Sequence, residues 1–170
     1  MKPGRNLDQI LLGLGSNLPG PLGEPRQTLE AAVRRLTEEG LIVSQLSRFW
    51  RTRPVPMSDQ PWYVNAVAVV ETPLDAAALL ALLHKIEADF GRVRRQVNEA
   101  RILDLDLLAY GRLVTNKPGG PVLPHPRLAE RAFVLLPLRD VSPDWLHPVT
   151  GEELDSMIAR VADGEVRPEE

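Results

Sequence analysis

The order of apolar patterns along the chain constrains its fold more than any other feature. Four segments have strand-like patterns, either apolar and β-branched or alternating apolar with polar residues: 11–16, 42–50, 63–70 and 102–110. Residues at helical spacing follow the first and the third segment, in one helix that ends before Gly40 and a second that ends at Gly91. The order strand, helix, strand, strand, helix, strand predicts an α+β fold of the ferredoxin-like, split βαβ (βαββαβ) type, with an antiparallel sheet and both helices on one face.

The sequence after the fourth strand predicts helical and hairpin additions to this core. Residues 111–126 are rich in turn formers, and residues 127–136 have the pattern of a short helix. Thr150 and Glu153 match a capping box ahead of a last amphipathic helix, and Thr72 with Asp75 is the equivalent pair before the second helix. Residues 162–170 are charged and aperiodic, which predicts a disordered tail.

Composition excludes several classes of protein. The 170 residues predict one domain, 1–170, with a core at about 10–161. The absence of cysteine excludes disulfides, thiolate nucleophiles and sulfur-ligated metals. No apolar run suits a membrane span, and the first residues lack a signal-peptide pattern, so we expect a cytoplasmic protein that binds no membrane. A net charge of −3 gives no reason to expect nucleic acid as a partner.

Two carboxylates on the fourth predicted strand are the first candidates for chemistry. Side chains alternate along a strand, so Asp104 and Asp106 share the face opposite Leu103, Leu105 and Leu107. Their α-carbons should lie about 6.6 Å apart, close enough for both side chains to converge on metal. Like charges so placed favour a divalent cation, and Mg²⁺ commonly takes one or two carboxylates and completes its shell with water and nucleotide phosphates.

A lone Asp-x-Asp pair can also be the solvated face of an edge strand. The neighbouring basic residues favour the metal, because cations for a polyphosphate would lie beside anions for its Mg²⁺. These residues are Arg92, Arg94, Arg95 and Arg101. We therefore expect a magnesium-dependent enzyme that moves a phosphoryl-type group from a nucleotide, although a surface loop of arginines can equally be a solvated charge run.

Other side chains allow a binding role and an ordinary structural one. Tyr63 and Asn65 project to one face of the third strand, where they suit either a planar heterocycle or a half-buried sheet end. His84 and Glu87 lie one turn apart on the second helix, and both can be surface residues. His125 lies between two prolines that restrict its backbone, with arginines following it.

Six collinear segments give a more specific signal than any one residue. They are GLGSNL, RFWRTRPV, QPWYVNAV, IEADFGRVRR, ARILDLDLLAYG and LPHPRLAERAFVLLPL. Together they resemble the 6-hydroxymethyl-7,8-dihydropterin pyrophosphokinase family of folate biosynthesis. The resemblance implies that ATP, as co-substrate, donates its β,γ-pyrophosphoryl unit to the hydroxymethyl oxygen of 6-hydroxymethyl-7,8-dihydropterin and releases AMP. It also implies two Mg²⁺ ions and a monomer.

The resemblance assigns roles to particular positions. Asp104 and Asp106 would bind the Mg²⁺ ions and act in catalysis with Arg92 and Arg101. The residues implied to hold the nucleotide are His84, Glu87, Arg94, His125 and Arg131. The pterin would lie between the rings of Tyr63 and Phe133, and its edge would be read by Asn65 and by the backbones of Thr52 and Val55.

Some positions depart from the family pattern. Asn98, Glu99 and Ala100 replace the Trp-Gly-Pro or Gly-Pro that usually precedes the position of Arg101, so an aromatic lid residue is missing. His84 stands where a Gln often contacts the nucleotide.

Two further functions fit the same fold. A nucleotidyl transferase also uses carboxylates on a split βαβ sheet, and it would release pyrophosphate in place of AMP. A non-enzymatic binding domain would bind pterin or nucleotide without depending on magnesium.

Overall fold

The structure is a computed structural model, and it describes residues 8–53, 62–91, 102–161 and 166–169. The strands are β1 (Ile10–Ser16), β2 (Ile42–Leu46), β3 (Trp50–Thr52), β4 (Tyr63–Glu71), β5 (Asp104–Tyr110), β6 (Thr115–Asn116), β7 (Val122–Leu123) and β8 (Val166–Pro168). The helices are α1 (Pro25–Glu38), α2 (Ala76–Asp89), α3 (Ala132–Val141) and α4 (Leu154–Val161), with a 3₁₀ turn at Leu128–Glu130.

The main sheet confirms the predicted fold class. Its strands run in the order β5, β1, β4, β3 and β8, with β2 also paired to β4, and every neighbouring pair is antiparallel. The segment predicted as one strand, 42–50, contributes to two, because β2 ends at Leu46 and β3 begins at Trp50. The strands β6 and β7 form the small added hairpin.

Alternating side chains divide the sheet into two apolar faces. Leu12, Leu14 and Leu105 lie in one core, where α1 and α2 cover the sheet. Leu11, Val67 and Leu108 lie in the other, which the C-terminal helices α3 and α4 cover. The predicted C-terminal additions therefore form a second layer, and the sheet lies between two sets of helices.

A bulge in β5 changes this alternation once. Leu12 lies opposite Leu107 and Leu11 lies opposite Ala109, so Leu108 is an extra residue. As a result Leu107 belongs to the core under α2, whereas the next two residues both belong to the core under α3 and α4.

Two predicted helix starts are wrong. Asp75 is the N-cap of α2, since its side chain accepts a hydrogen bond of 2.8 Å from the N–H of Ala78, whereas Thr72 accepts from Leu74 within the preceding turn. The hydroxyl of Thr150 likewise accepts from the N–H of Glu152 instead of capping α4, which begins at Leu154. Hydroxyls near a helix start can serve turns or caps, and local sequence does not decide between them.

Part of the tail that was predicted to be disordered forms a strand. Val166–Pro168 is β8, which pairs with the outer edge of β3. A charged, aperiodic segment of this kind is ordered only by a partner that is distant in sequence, which explains why its composition predicted disorder. The single-domain organisation of the whole chain stays a prediction. Within the described residues, no helix has the length and apolar character needed to cross a membrane.

Asp140 joins the second helical layer to strand β3 of the sheet. Its carboxylate accepts hydrogen bonds from the indole Nε1 of Trp50 at 2.9 Å and from Arg48 through the backbone N–H, Nε and Nη2. Burial raises the pKa of Asp140, but the hydrogen bonds from Arg48 and Trp50 outweigh burial and hold the pKa below its ordinary value. The carboxylate thus fixes α3 against β3.

We expect Asp140→Ala to lower the free energy of unfolding by about 1 to 3 kcal/mol, because the buried indole N–H of Trp50 loses its acceptor. Urea denaturation measures the change. Asp155→Ala is the matched control: this carboxylate pairs with Arg139 on the surface, and its loss should cost about 0.5 kcal/mol or less. Equal effects of the two substitutions would contradict the role of Asp140.

The stabilisation by Asp140 should also depend on pH. Because its pKa is lower in the folded than in the unfolded chain, the stabilisation is complete above the unfolded pKa of about 3.9 and is lost as pH falls through the folded pKa. The difference in stability between native protein and Asp140→Ala should therefore shrink as pH falls below about 4. A difference that stays constant over this range would argue against an ionised Asp140.

Candidate active site

Strand β1, which lies between β5 and β4, forms a floor on the face of the sheet opposite α1 and α2. Gly15 lies between Asn65 of β4 and Asp104 of β5, and Gly13 lies between Val67 and Asp106. At Gly15 the missing side chain leaves the backbone of β1 between the polar side chains of Asn65 and Asp104, whereas Gly13 lies against the side chain of Leu108. The floor therefore has a carboxylate side on β5 and an amide side on β4.

The carboxylate side confirms the alternation predicted from sequence. Asp104 and Asp106 are half-buried, while the intervening Leu105 is fully buried in the core under α2. The pair therefore shares the site face of β5, as the period of a strand requires.

His125 is attached to β5 beside these carboxylates. Its N–H donates to the carbonyl of the bulged residue Leu108 at 2.8 Å, and its ring Nδ1 accepts from the N–H of Arg127 at 3.2 Å. Because Nδ1 is the acceptor, Nε2 is the ring nitrogen that can donate to an anion. Burial lowers the pKa of His125, the charge of Asp106 opposes this shift, and the charge of Arg131 adds to it.

Arg131 supplies a cation in the same place. Burial lowers the pKa of its guanidinium, and the charges of Asp106 and Asp104 oppose that shift. Arg131 lies immediately before α3, and its guanidinium carbon is 5.4 Å from the centre of the ring of Phe133. The structure thus brings His125, Arg131 and Phe133 to the face that carries the two aspartates.

The amide side of the floor has a fixed geometry. Asn65 and Thr52 are both buried, and the Nδ2 of Asn65 donates to the Oγ1 of Thr52 at 2.9 Å. A Cβ atom on Gly15 would lie 2.9 Å from the Oδ1 of Asn65, so only glycine leaves this amide in place. Tyr63 lies on the same face, two residues before Asn65 on β4.

Glu87 has a structural contact that sequence reasoning missed. It is 3% exposed on the sheet-facing side of α2, and its Oε2 accepts a 2.8 Å hydrogen bond from the backbone N–H of Leu105, between the two aspartates. The carboxylate thus holds the outer edge of β5. The sequence does contain a signal that Glu87 is buried. Glu87 continues the helical spacing of Leu79 and Leu83, which form an apolar stripe in which an acidic residue is unusual.

The other predicted site residues are not brought to the floor by described contacts. His84 is exposed on α2. Val55, Arg92, Arg94 and Arg101 lie outside the described residues, so their predicted roles stay predictions, as does that of Arg95.

The donor set on the floor fits a hard cation. Within 8–53, 62–91, 102–161 and 166–169, no group of three or more His, Asp or Glu side chains could enclose a metal ion. Two adjacent carboxylates in a chain without cysteine suit Mg²⁺, which keeps water and substrate oxygens in its shell, better than zinc.

The comparisons with known proteins agree on one family. A family model described as 7,8-dihydro-6-hydroxymethylpterin-pyrophosphokinase (HPPK) matches residues 11–143. Two proteins named 2-amino-4-hydroxy-6-hydroxymethyldihydropteridine pyrophosphokinase are each 38% identical to the chain. The alignment with the Methylorubrum extorquens protein covers 91% of this chain and 94% of that one, and the Pseudomonas aeruginosa alignment covers 90% and 91%.

Longer proteins match over the same region. Folic acid synthesis protein fol1 of Pneumocystis carinii is 36% identical over 95% of the chain, and the chain spans 21% of its length. A crystal structure of wild-type Plasmodium falciparum HPPK-DHPS has a TM-score of 0.68 at 15% identity, over 89% of this chain and 41% of that one, which shows a shared fold. With its family model covering most of the chain and two relatives aligned over nearly their full length, the chain belongs to the 7,8-dihydro-6-hydroxymethylpterin-pyrophosphokinase family.

Proposed function

We propose that this protein transfers pyrophosphate from ATP to the hydroxymethyl group of 6-hydroxymethyl-7,8-dihydropterin, releasing AMP, as a step of folate biosynthesis. Family membership supports the reaction. The observation that carries it is the floor of β1, which has carboxylates and cations on one side and a buried amide with an aromatic ring on the other. One side suits a metal-bound polyphosphate and the other a planar heterocycle.

We assign Mg²⁺ to Asp104 and Asp106, with two ions as the family resemblance implies. When bound, the metal would neutralise phosphate charge and acidify the hydroxyl of the pterin. The burial of Leu105 and the bond from its N–H to Glu87 keep both carboxylates on the site face.

On the nucleotide side, we assign His125 and Arg131 to the polyphosphate, Arg131 as a cation and His125 as an N–H donor through Nε2. A guanidinium and an imidazole N–H can both donate to phosphate oxygens, and their partial burial strengthens these interactions. We assign Arg92, Arg94 and Arg101 to the same polyphosphate, and His84 and Glu87 to the nucleotide, on the family pattern alone.

On the pterin side, the bond from Nδ2 of Asn65 to Thr52 leaves the Oδ1 of Asn65 as the acceptor that faces the floor. An acceptor held in this way suits the N–H groups on the edge of a pterin ring. We assign the aromatic faces to Tyr63 and Phe133, and the remaining edge contacts to the backbones of Thr52 and Val55, as the family resemblance implies.

The reaction requires no covalent intermediate with the protein. The hydroxymethyl oxygen attacks the β-phosphorus of ATP, the bond from that phosphorus to the α,β-bridging oxygen breaks, and AMP leaves with the electron pair. The hydroxyl proton passes to a carboxylate, for which we assign Asp106. Catalysis then depends on alignment of the two substrates across the floor and on neutralisation of charge.

Nucleotide product analysis with ATP, Mg²⁺ and the pterin tests the function. We expect AMP to form only when pterin is present, and Asp104→Asn or Asp106→Asn to lower its rate by on the order of 100-fold or more. Asp144→Asn, on an exposed loop, is the matched control and should keep native activity. Calorimetric titration of Mg²⁺ with a non-hydrolysable ATP analogue should show weaker metal binding in the two site variants.

Other products would identify other functions. Release of pyrophosphate would indicate a nucleotidyl transferase. Pterin binding without turnover, indifferent to Mg²⁺, would indicate a binding domain. Full AMP formation by both aspartate variants would contradict the metal site.

The glycine floor leads to a prediction about specificity. Gly15→Ala places a methyl group 2.9 Å from the Oδ1 of Asn65, so the amide must move and pterin affinity should fall by about tenfold. Affinity for the ATP analogue should stay within about twofold of native. Gly120→Ala, where the added Cβ is 3.6 Å from its nearest neighbours, is the control. Native pterin affinity in Gly15→Ala would contradict the placement of Asn65.

A further inference from the structure

The strand β8 covers the open edge of the sheet next to the pterin side of the site. Val166, Arg167 and Pro168 lie opposite the three residues of β3, and the N–H of Glu169 donates to the carbonyl of Phe49 at 2.7 Å. The strand lies outside the region that the family model matches, 11–143. With β8 in place, β3 has a hydrogen-bonded neighbour on both sides, β4 and β8.

The first route from β8 to the site runs through Thr52. Val166 lies directly opposite Thr52, whose Oγ1 accepts the hydrogen bond from Asn65. A strand of three residues at a sheet edge frays easily, because few main-chain bonds hold it. Fraying of β3 would move Thr52 and release the amide that it orients.

The second route runs through Trp62. The guanidinium carbon of Arg167 lies 4.9 Å from the centre of the Trp62 ring, and those of Arg51 and Arg53 each lie 5.6 Å away. Trp62 immediately precedes Tyr63, the aromatic residue of the pterin side. Arg167 therefore packs against the residue that leads into this part of β4.

Both repulsive and attractive interactions act between β8 and the rest of the sheet. Arg51 and Arg167 face each other directly across the strand pair, and like charges in this position are destabilising. Their stacking around the indole and the main-chain bond from Glu169 oppose that repulsion. Docking of β8 should therefore depend on these few interactions.

We propose that β8 is a positioning element for pterin binding, in which Arg167 and the backbone of Glu169 hold β3 so that Thr52 orients the amide of Asn65. This inference rests on the proposed function for the identity of the ligand. Arg167 acts through Trp62 and β3 and contacts no reacting group.

Single substitutions in the 170-residue chain test each contact of β8 separately. Glu169→Pro removes the N–H that donates to Phe49, whereas Glu169→Ala keeps that N–H and removes only the side chain, which pairs with Arg26. Arg167→Ala removes the contact with Trp62, and Arg167→Lys retains a cation there. Arg34→Ala, on the exposed face of α1, controls for loss of a surface arginine. Calorimetry measures the affinities for the pterin and the ATP analogue separately, and hydrogen exchange reports on the amides of β3.

We expect Glu169→Pro and Arg167→Ala each to weaken pterin binding by about tenfold, with affinity for the ATP analogue within about twofold of native. Exchange of the β3 amides should become faster in both variants. Glu169→Ala, Arg167→Lys and Arg34→Ala should bind pterin within about threefold of native. If Glu169→Pro fails to fold, the comparison of the pterin affinities of Arg167→Ala and Arg167→Lys decides whether β8 positions the pterin side.

Two results would overturn the inference: native pterin affinity in both Arg167→Ala and a folded Glu169→Pro, or parallel loss of pterin and nucleotide affinity. Failure of the proposed function is a different result, because the native chain itself would then form no AMP and bind no pterin. Failure of the inference alone leaves the native chain active and the β8 variants equal to it.

Discussion

The two-residue alternation of side chains along β1, β4 and β5 is the constraint on which the rest of the structure depends. Leu12 and Leu14 enter the core under α1 and α2, so Gly13 and Gly15 must form the opposite face. The same pleat buries Leu105 and leaves its neighbours on β5 for the site. A shift of register by one residue would bury two carboxylates beneath α2, at a cost of several kcal/mol for each unpaired ion. Core and site are therefore specified by one pattern.

The second layer of helices then places an imidazole and a guanidinium beside those carboxylates. The bulge at Leu108 presents a carbonyl that holds His125 against β5, and Arg131 follows at the start of α3. Asp140, near the end of that helix, binds Trp50 of β3 and Arg48 just before it. The helix α3 therefore connects the carboxylate side of the floor to β3, the strand whose Thr52 holds the amide side. A site for two substrates needs both sides held at a fixed distance, and this helix provides one such connection.

Much of the fold follows from local pattern, and the exceptions have a common cause. The order of strands and helices, and the shared face of the two aspartates, depend on periodicities that any short window reveals. Thr72 and Asp75 both suit a helix start by composition, and only the path of the chain into α2 selects Asp75. The tail has no apolar pattern of its own, so its order as β8 depends on the exposed edge of β3, more than 100 residues earlier in the chain.

The sequence by itself determined the fold class, the shared face of the two aspartates and, through collinear motifs, the family to which the chain belongs. These features are encoded by residue type and spacing within single elements. Only the tertiary structure showed that Glu87 holds β5, that Thr52 orients Asn65, and that β8 closes the edge beside them. Each of these contacts joins elements distant in sequence, and its formation depends on burial and on unpaired main-chain groups that exist only once the sheet is assembled.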